Sequence, residues 1–391
     1  MPGFEFVGQE EFSEIKDIFD HGGILFRHGF DALRQGRYKC EEFEAAFAKR
    51  MNAPKALAVS SGSAALRVAL AGLNIGPGDE VITQAFTFVA TAEAIIEAGA
   101  QPVIAEINQT LNLDPQDFER KITAKTKAVI VVHMLGVPAQ MTEILAIAKH
   151  RGIAVIEDTA WGCGGFYLGK PLGTLGDIGT YSFDFAKTMT TGEGGMLVFK
   201  DLQVAARARA YHDHGHENNP ALPRWEDSRA GSGFNYRMSE LQGAVGLAQL
   251  KKLDEVVRAQ RMQYDLLAKV VSQFDDLQMR AVPAGSEITA DALVFFTESP
   301  EQAQAIREAL LAVGFGTKIL PEAVTWHFAG TWDHMPSLVA KHGNLKTAFP
   351  ISKQLLSRAV ALPILAKLPE GTDQKVQQAL SKVITTCHAL M

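Results

Sequence analysis

The chain has 391 residues, 47% of them hydrophobic and 21% charged, with a formal net charge of −6. That length supports two or three domains around a sizeable core, and the apolar content argues against extended disorder. The mild acidity argues against nucleic acid or an anionic membrane as the main partner.

The three cysteines, Cys40, Cys163 and Cys387, have no metal-like spacing and are too few for a disulfide framework. The N-terminal segment is acidic and lacks the basic and apolar regions of a secretory signal. No apolar run is long enough to cross a bilayer. A cytoplasmic protein with no membrane partner is therefore expected.

The first chemical signal is Ser60-Ser61-Gly62-Ser63, just before a helical run from Leu66 to Leu73. A small-residue turn entering a helix exposes N–H groups and the positive dipole end, which suits a phosphate. Ordinary N-capping by Ser61 or Ser63 is the simpler alternative. Apolar runs at 80–83, 102–105, 128–132 and 153–156 predict buried strands, and 91–99, 115–123 and 140–151 predict helices between them. This alternation predicts a mainly parallel α/β sheet, whose carboxyl-end edge is where ligands bind.

Phe86-Thr87-Phe88 follows the strand at 80–83, where an aromatic could stack on a cofactor ring or belong to the core. Asp158 sits just past the strand at 153–156; a buried carboxylate there needs a cation, or else serves as a helix cap. Lys187 lies in a run of small, hydroxyl-bearing and apolar residues that ends in Gly192, Gly194 and Gly195. Partial desolvation would lower its pKa and expose a nucleophilic amine suited to Schiff-base chemistry. A solvated lysine beside a glycine-rich turn is the plain alternative.

His212, His214 and His216 alternate, but the glycine between the last two and the polar residues after them indicate a loop. No metal is expected. Asn235 and Arg237 precede a long helix that runs to about residue 271, with Ser239 and Glu240 at its start. A strand at 291–297 and helices at 301–313 and 374–386 follow, while 321–345, with Trp326 and His327, has no clear pattern. The predicted organisation is an N-terminal arm (1–35), a large α/β domain (36–254) and a smaller C-terminal α+β domain (255–391).

The ordered set Ser61-Gly62-Ser63-Ala64, Phe86-Thr87-Phe88, Glu157-Asp158, Ser182-Phe183 with Lys187, Gly192-Glu193-Gly194-Gly195 and Asn235 to Gln242 resembles the DegT/StrS family of pyridoxal-phosphate (PLP)-dependent sugar aminotransferases. The resemblance is strong over about 40–260. It implies a fold type I PLP enzyme acting as a homodimer with shared active sites. It also implies an amino donor such as glutamate and a keto- or aldehydo-sugar acceptor. By resemblance, Lys187 matches the Schiff-base lysine and Asp158 the partner of the pyridine nitrogen. Phe88 matches the aromatic that stacks on the ring. Gly62, Ser63, Ala64 and Ser182 match the phosphate cradle, and Asn235 matches the residue that reaches the phosphate from the neighbouring subunit.

On Pro2 to Glu5, Phe26-Arg27, Phe30-Asp31, Arg34, Ser182 to Asp184 and Asp213 to His216, the chain is most similar within the family to transaminases that aminate the oxidised 8-position of a 3-deoxy-octulosonate, an acidic sugar of lipopolysaccharide-type glycans. That likeness makes Arg27, His28, Arg34, His214 and His216 candidate substrate contacts, since a carboxylate suits an arginine. Two positions depart from the family pattern. Trp161 stands where the family carries Gln or His near the cofactor's phenolic oxygen, and Gln84 stands where many members carry Pro. The alternatives are a sugar dehydratase of the same fold, which normally has His in place of the lysine, and a non-catalytic PLP-binding regulator, which Trp161 favours.

Overall fold

The computed structural model describes residues 2–219 and 221–390; the side chains of 386–390, Cys387 among them, lie outside the described set. Strands β1 (Lys55–Val59), β2 (Glu80–Gln84), β3 (Gln101–Ala105), β4 (Thr126–Val132) and β5 (Ala154–Asp158) come first. Two short strands, β6 (Phe166–Tyr167) and β7 (Lys170–Pro171), precede β8 (Ile178–Ser182) and β9 (Gly195–Phe199).

The seven longer strands form one sheet in the order β1-β9-β8-β5-β4-β2-β3. From β8 to β3 every pairing is parallel, while β9 runs antiparallel to both β8 and β1. The uninterrupted apolar runs reflect burial on both faces: β2, β8 and β9 are buried at every residue. Because β9 alone reverses, β1, β2, β4, β5 and β8 all end on one edge, and the sequence motifs follow those ends.

The helix Gly62–Gly72 follows β1, and Ser61 caps it by accepting the Ala64 N–H at 3.0 Å. Gly62 is required here, since a Cβ would come within 2.7 Å of the Ser182 Cβ. The turn after β1 and the end of β8 are thereby held together.

The long helix is Glu240–Val271, opened by a capping box between Ser239 and Gln242. It crosses the predicted boundary at 254/255 without a break. Beyond it, β10 (Gln278–Met279), β12 (Ala292–Phe296) and β13 (Ala359–Pro363) form an antiparallel sheet in the order β10-β12-β13, and β11 (Ser286–Glu287) joins β6 and β7.

Residues 324–357, in contrast, return to the large sheet. The Thr87 N–H donates to the His327 carbonyl at 2.9 Å, and Glu106 accepts the Ser352 N–H at 2.8 Å. Trp161, Phe328, Trp332 and Phe349 share one core with Phe86 and Val132. Among the described residues no helix is long and apolar enough to cross a membrane.

Candidate active site

A cavity of about 280 Å³ opens at the carboxyl-end edge of the large sheet. Gly62, Ser63, Phe88, Asp158, Trp161, Ser182 and Lys187 all line it, together with Ser61, Thr91 and His327. Seven of the residues singled out in the sequence, spread over more than a hundred positions, meet here because their strands end side by side.

Lys187 lies in the turn after β8, where Asp184 accepts the Ala186 N–H on its side chain at 2.9 Å and the Lys187 N–H on its carbonyl at 3.0 Å. The Lys187 Nζ rests over the Trp161 indole, 3.4 Å from the ring centroid. Burial pulls the amine down from 10.5 to about 8, against the opposing pull of Asp291 and Asp158, while Lys318 adds to the depression. A useful fraction of Lys187 is then a free amine near neutral pH.

Asp158 ends β5 and is buried. Its Oδ1 accepts the Ala160 N–H at 3.1 Å and its Oδ2 the Thr91 hydroxyl at 3.3 Å. Burial raises its pKa, and these donors together with the more distant Lys187 oppose that. A buried carboxylate served by only two neutral donors suits a cationic ligand at its free side.

At the other end of the cavity, Ser61 takes the N–H of Ala64, and the first N–H groups of the helix belong to Gly62 and Ser63. Ser61 rather than Ala64 therefore faces the cavity, since the Ala64 N–H is spent on the cap and Ala64 itself is buried. The capping and anion-site readings of the serine cluster are compatible: one serine caps while its neighbours are left facing the cavity.

Phe88 is 40% exposed and stacks on Trp326 with centroids 6.3 Å apart and planes 9° apart. His327 lies beside both Phe88 and Trp161. Its Nδ1 is 3.2 Å from the Ala323 carbonyl, so Nδ1 carries the proton and Nε2 is left as an acceptor. Burial lowers its pKa to about 4, which keeps the ring neutral.

The remaining candidates lie elsewhere in the chain. Arg27 is buried, bound to Glu44 and to the Ala58 carbonyl at 2.9 Å, so its guanidinium is committed inside the protein. Arg34 is buried too: it donates to the Phe26 carbonyl, stacks on Tyr38 and lies 3.6 Å from Glu240. His28 lies 3.1 Å from Asp213, and His216 pairs with Asp227 at 3.1 Å. His214 is exposed at φ 55°, and the histidine segment is a loop whose members face different partners. Asn235 is exposed and outside this cavity; its Oδ1 accepts the Arg237 N–H at 3.2 Å.

Four contributors went unread in the sequence. Thr91 lies three residues past Phe88, and its role shows only once Asp158 is beside it. His327, Asp291 and Lys318 come from the C-terminal part, where no periodicity pointed to the cavity.

A phosphate-suited helix start, a buried and under-served carboxylate, an aromatic wall and a lysine of lowered pKa in one cavity define a fold type I PLP enzyme. The chain belongs to the DegT/DnrJ/EryC1/StrS aminotransferase family, which matches it over residues 29–381. It is 31% identical to the spore coat polysaccharide biosynthesis protein SpsC of Bacillus subtilis, over 97% of this chain and 95% of that one. It is 42% identical to the GDP-perosamine synthase of Caulobacter vibrioides, over 56% of this chain and 58% of the relative. The fold matches an aminotransferase from Psychrobacter cryohalolentis with a TM-score of 0.85, at 26% identity and 98% coverage of both chains. The protein is thus a PLP-dependent aminotransferase of the sugar-modifying family.

Proposed function

We propose that the protein transfers the amino group of glutamate to a keto- or aldehydo-sugar. The observation that carries this reading is the meeting of Lys187 and Asp158 in one cavity that begins at the Gly62–Ser63 helix start. Gly62, Ser63 and Ser182 would hold the cofactor phosphate, Phe88 would cover the ring, and Asp158 would pair with the ring nitrogen. When bound, the cofactor supplies an electron sink for the carbon being deprotonated.

Lys187 would hold the cofactor, and its amine, with a pKa lowered to about 8, would serve as the base that moves the proton. The Asp158 carboxylate supplies the fixed negative charge that keeps the ring nitrogen protonated. Trp161, Phe88 and His327 form an apolar wall that would limit water around the reacting carbon.

The homodimer belongs to the same proposal. Phe30, Trp225 and Phe234 are 57%, 85% and 60% exposed, and Asn235 lies beside Phe234. Covering such aromatics against a second copy would bring Asn235 towards the other cavity. The buried free thiols of Cys40 and Cys163 accord with a reducing cytoplasm.

An octulosonate acceptor oxidised at its 8-position is supported by the sequence motifs, and a nucleotide-linked keto-sugar by the perosamine-synthase relatives. Arg27 and Arg34, first offered for a sugar carboxylate, are bound to internal partners.

The test is the visible spectrum of the holoenzyme on addition of glutamate, followed by each acceptor class in turn. Bleaching by glutamate and recovery with one sugar identifies donor and acceptor. A band that ignores glutamate yet responds to another amino acid overturns the donor. A band that responds to no amino acid overturns the catalytic reading.

A further inference from the structure

Two lysines converge on the Trp161 indole. The Nζ of Lys187 is 3.4 Å from the ring centroid and that of Lys318 is 4.7 Å from it. Lys318 does not line the cavity, and it is 7% exposed. Its ammonium is 2.5 Å from the Asp291 carboxylate, and its backbone N–H donates to the Ala361 carbonyl on β13 at 2.8 Å. Trp161 is fixed from the same side, because the Thr289 hydroxyl donates to its carbonyl at 2.9 Å. Thr289 and Asp291 sit just before β12. The ring against which the reactive amine rests is therefore held by the C-terminal part of the chain.

We infer that Lys318 is a positioning residue which, balanced by Asp291, sets the charge state of the Lys187 nitrogen by holding a second cation against the Trp161 ring. This rests on the reading of Lys187 as the lysine that carries the cofactor. An indole face attracts a cation, but two cations on one ring repel each other. Asp291 offsets most of the Lys318 charge, so the pair acts as a dipole and either half alone would act as a full charge.

The other charged or titratable groups acting on Lys187 are Asp158 at the end of β5, Asp184 in its own turn and His327 from the facing loop. Of these, His327 also feels the Lys318 charge, but its ring is neutral and cannot balance the pair. The role follows from this chain's own departure at Trp161, whose flat face accepts both ammonium groups where a glutamine would not.

The test is a pH titration of the visible band of the holoenzyme, whose midpoint reports protonation at the Lys187–cofactor nitrogen. Lys318→Met leaves Asp291 uncompensated and should move the midpoint up by on the order of one pH unit. Asp291→Asn leaves Lys318 uncompensated and should move it down. Lys318→Arg keeps the charge and should leave the midpoint near that of the wild type. The double variant Lys318→Met/Asp291→Asn removes both charges and should also return close to wild type, even if a single variant folds poorly. Shifts of equal sign in the two single variants, or no shift in either, would overturn the proposal. Lys187→Ala is the separate control: a titrating cofactor band that survives in it would instead overturn the assignment of Lys187.

Discussion

Two buried aspartates, Asp158 and Asp213, have opposite electrostatic surroundings. Asp213 has a fully buried side chain and meets Arg224 and Arg237, each at 2.5 Å, with His28 at 3.1 Å. Burial would raise its pKa, but these partners hold it well below the usual carboxylate range. Asp158, buried to a similar degree, has one backbone N–H and one threonine hydroxyl, and burial prevails. A carboxylate with its cations already in the chain is a finished structural joint, here tying the N-terminal arm to the loop before the long helix. A carboxylate held ready without a cation in contact is a site for one that arrives with a ligand. Burial alone does not separate structure from function; the count and charge of the donors does.

The comparison breaks most sharply at Lys187. Lys187→Ala should lower amino transfer by roughly 10³-fold or more while leaving the thermal transition close to wild type, as judged by circular dichroism. Next come the aspartates themselves. Asp213→Asn should destabilise the protein by about 3 kcal/mol, since it strands two arginines on a buried neutral amide. That loss should be seen at neutral pH and should shrink below about pH 4. A carboxyl with a depressed folded pKa stabilises above its unfolded value of 3.8 and loses that contribution as pH falls towards the folded one.

Asp158→Asn should behave in the opposite way. Its raised folded pKa means that the ionised carboxylate costs stability as pH rises above the unfolded value. The apoprotein variant should therefore melt no lower than wild type at neutral pH, while cofactor affinity falls by roughly 10- to 100-fold. An apoprotein in which both asparagine variants lose equal stability would remove the distinction. A milder measurement is the rate at which apoprotein captures PLP. It should rise with pH through about 8, because the protonated amine is not a nucleophile; a midpoint near 10.5 would show that the burial of Lys187 has no effect on its reactivity.

The sheet was legible because its strands are short apolar runs buried on both faces, and because turn chemistry separates them from helices of ordinary length. Each strand named in the sequence appears within a residue or two of its expected position. Phe88 and Asp158 follow strands that the sequence shows, so their shared edge was legible, whereas β1, β8 and β9, which bring Ser61 and Lys187 to that edge, were not named there.

The C-terminal part read less well. Residue 254 falls inside one continuous helix, and 321–345 showed no period because it is built of two 3-10 turns and a helix of only seven residues, Pro336–His342, joined by irregular loop. Its contacts, such as His327 to Thr87, join positions far apart in the chain, and local pattern carries no information about them. Arg27 and Arg34 were offered as substrate contacts, and an arginine's sequence neighbours do not show that Glu44 and the Phe26 carbonyl are its partners in the fold.

Thr91 is the smallest lever on the same contrast, and the one that tests how finely Asp158 is set. Thr91 is fully buried, and its hydroxyl lies 2.8 Å from that of Thr87 and donates to Asp158 at 3.3 Å. Thr91→Val keeps the shape and removes the donor. A net hydrogen bond of about 0.5–1.5 kcal/mol corresponds to a fall of only a few-fold to about 10-fold in kcat. The direction is fixed by the sign of the missing bond: with one donor fewer, the carboxylate is less readily ionised, so the acidic limb of the kcat profile should move to higher pH. Asp213, held by two arginines with His28 beside it, would barely register the loss of one neutral donor. A Thr91→Val enzyme whose acidic limb stays in place would mean that Asp158 takes its charge from the bound cofactor alone, and that the threonine pair serves packing.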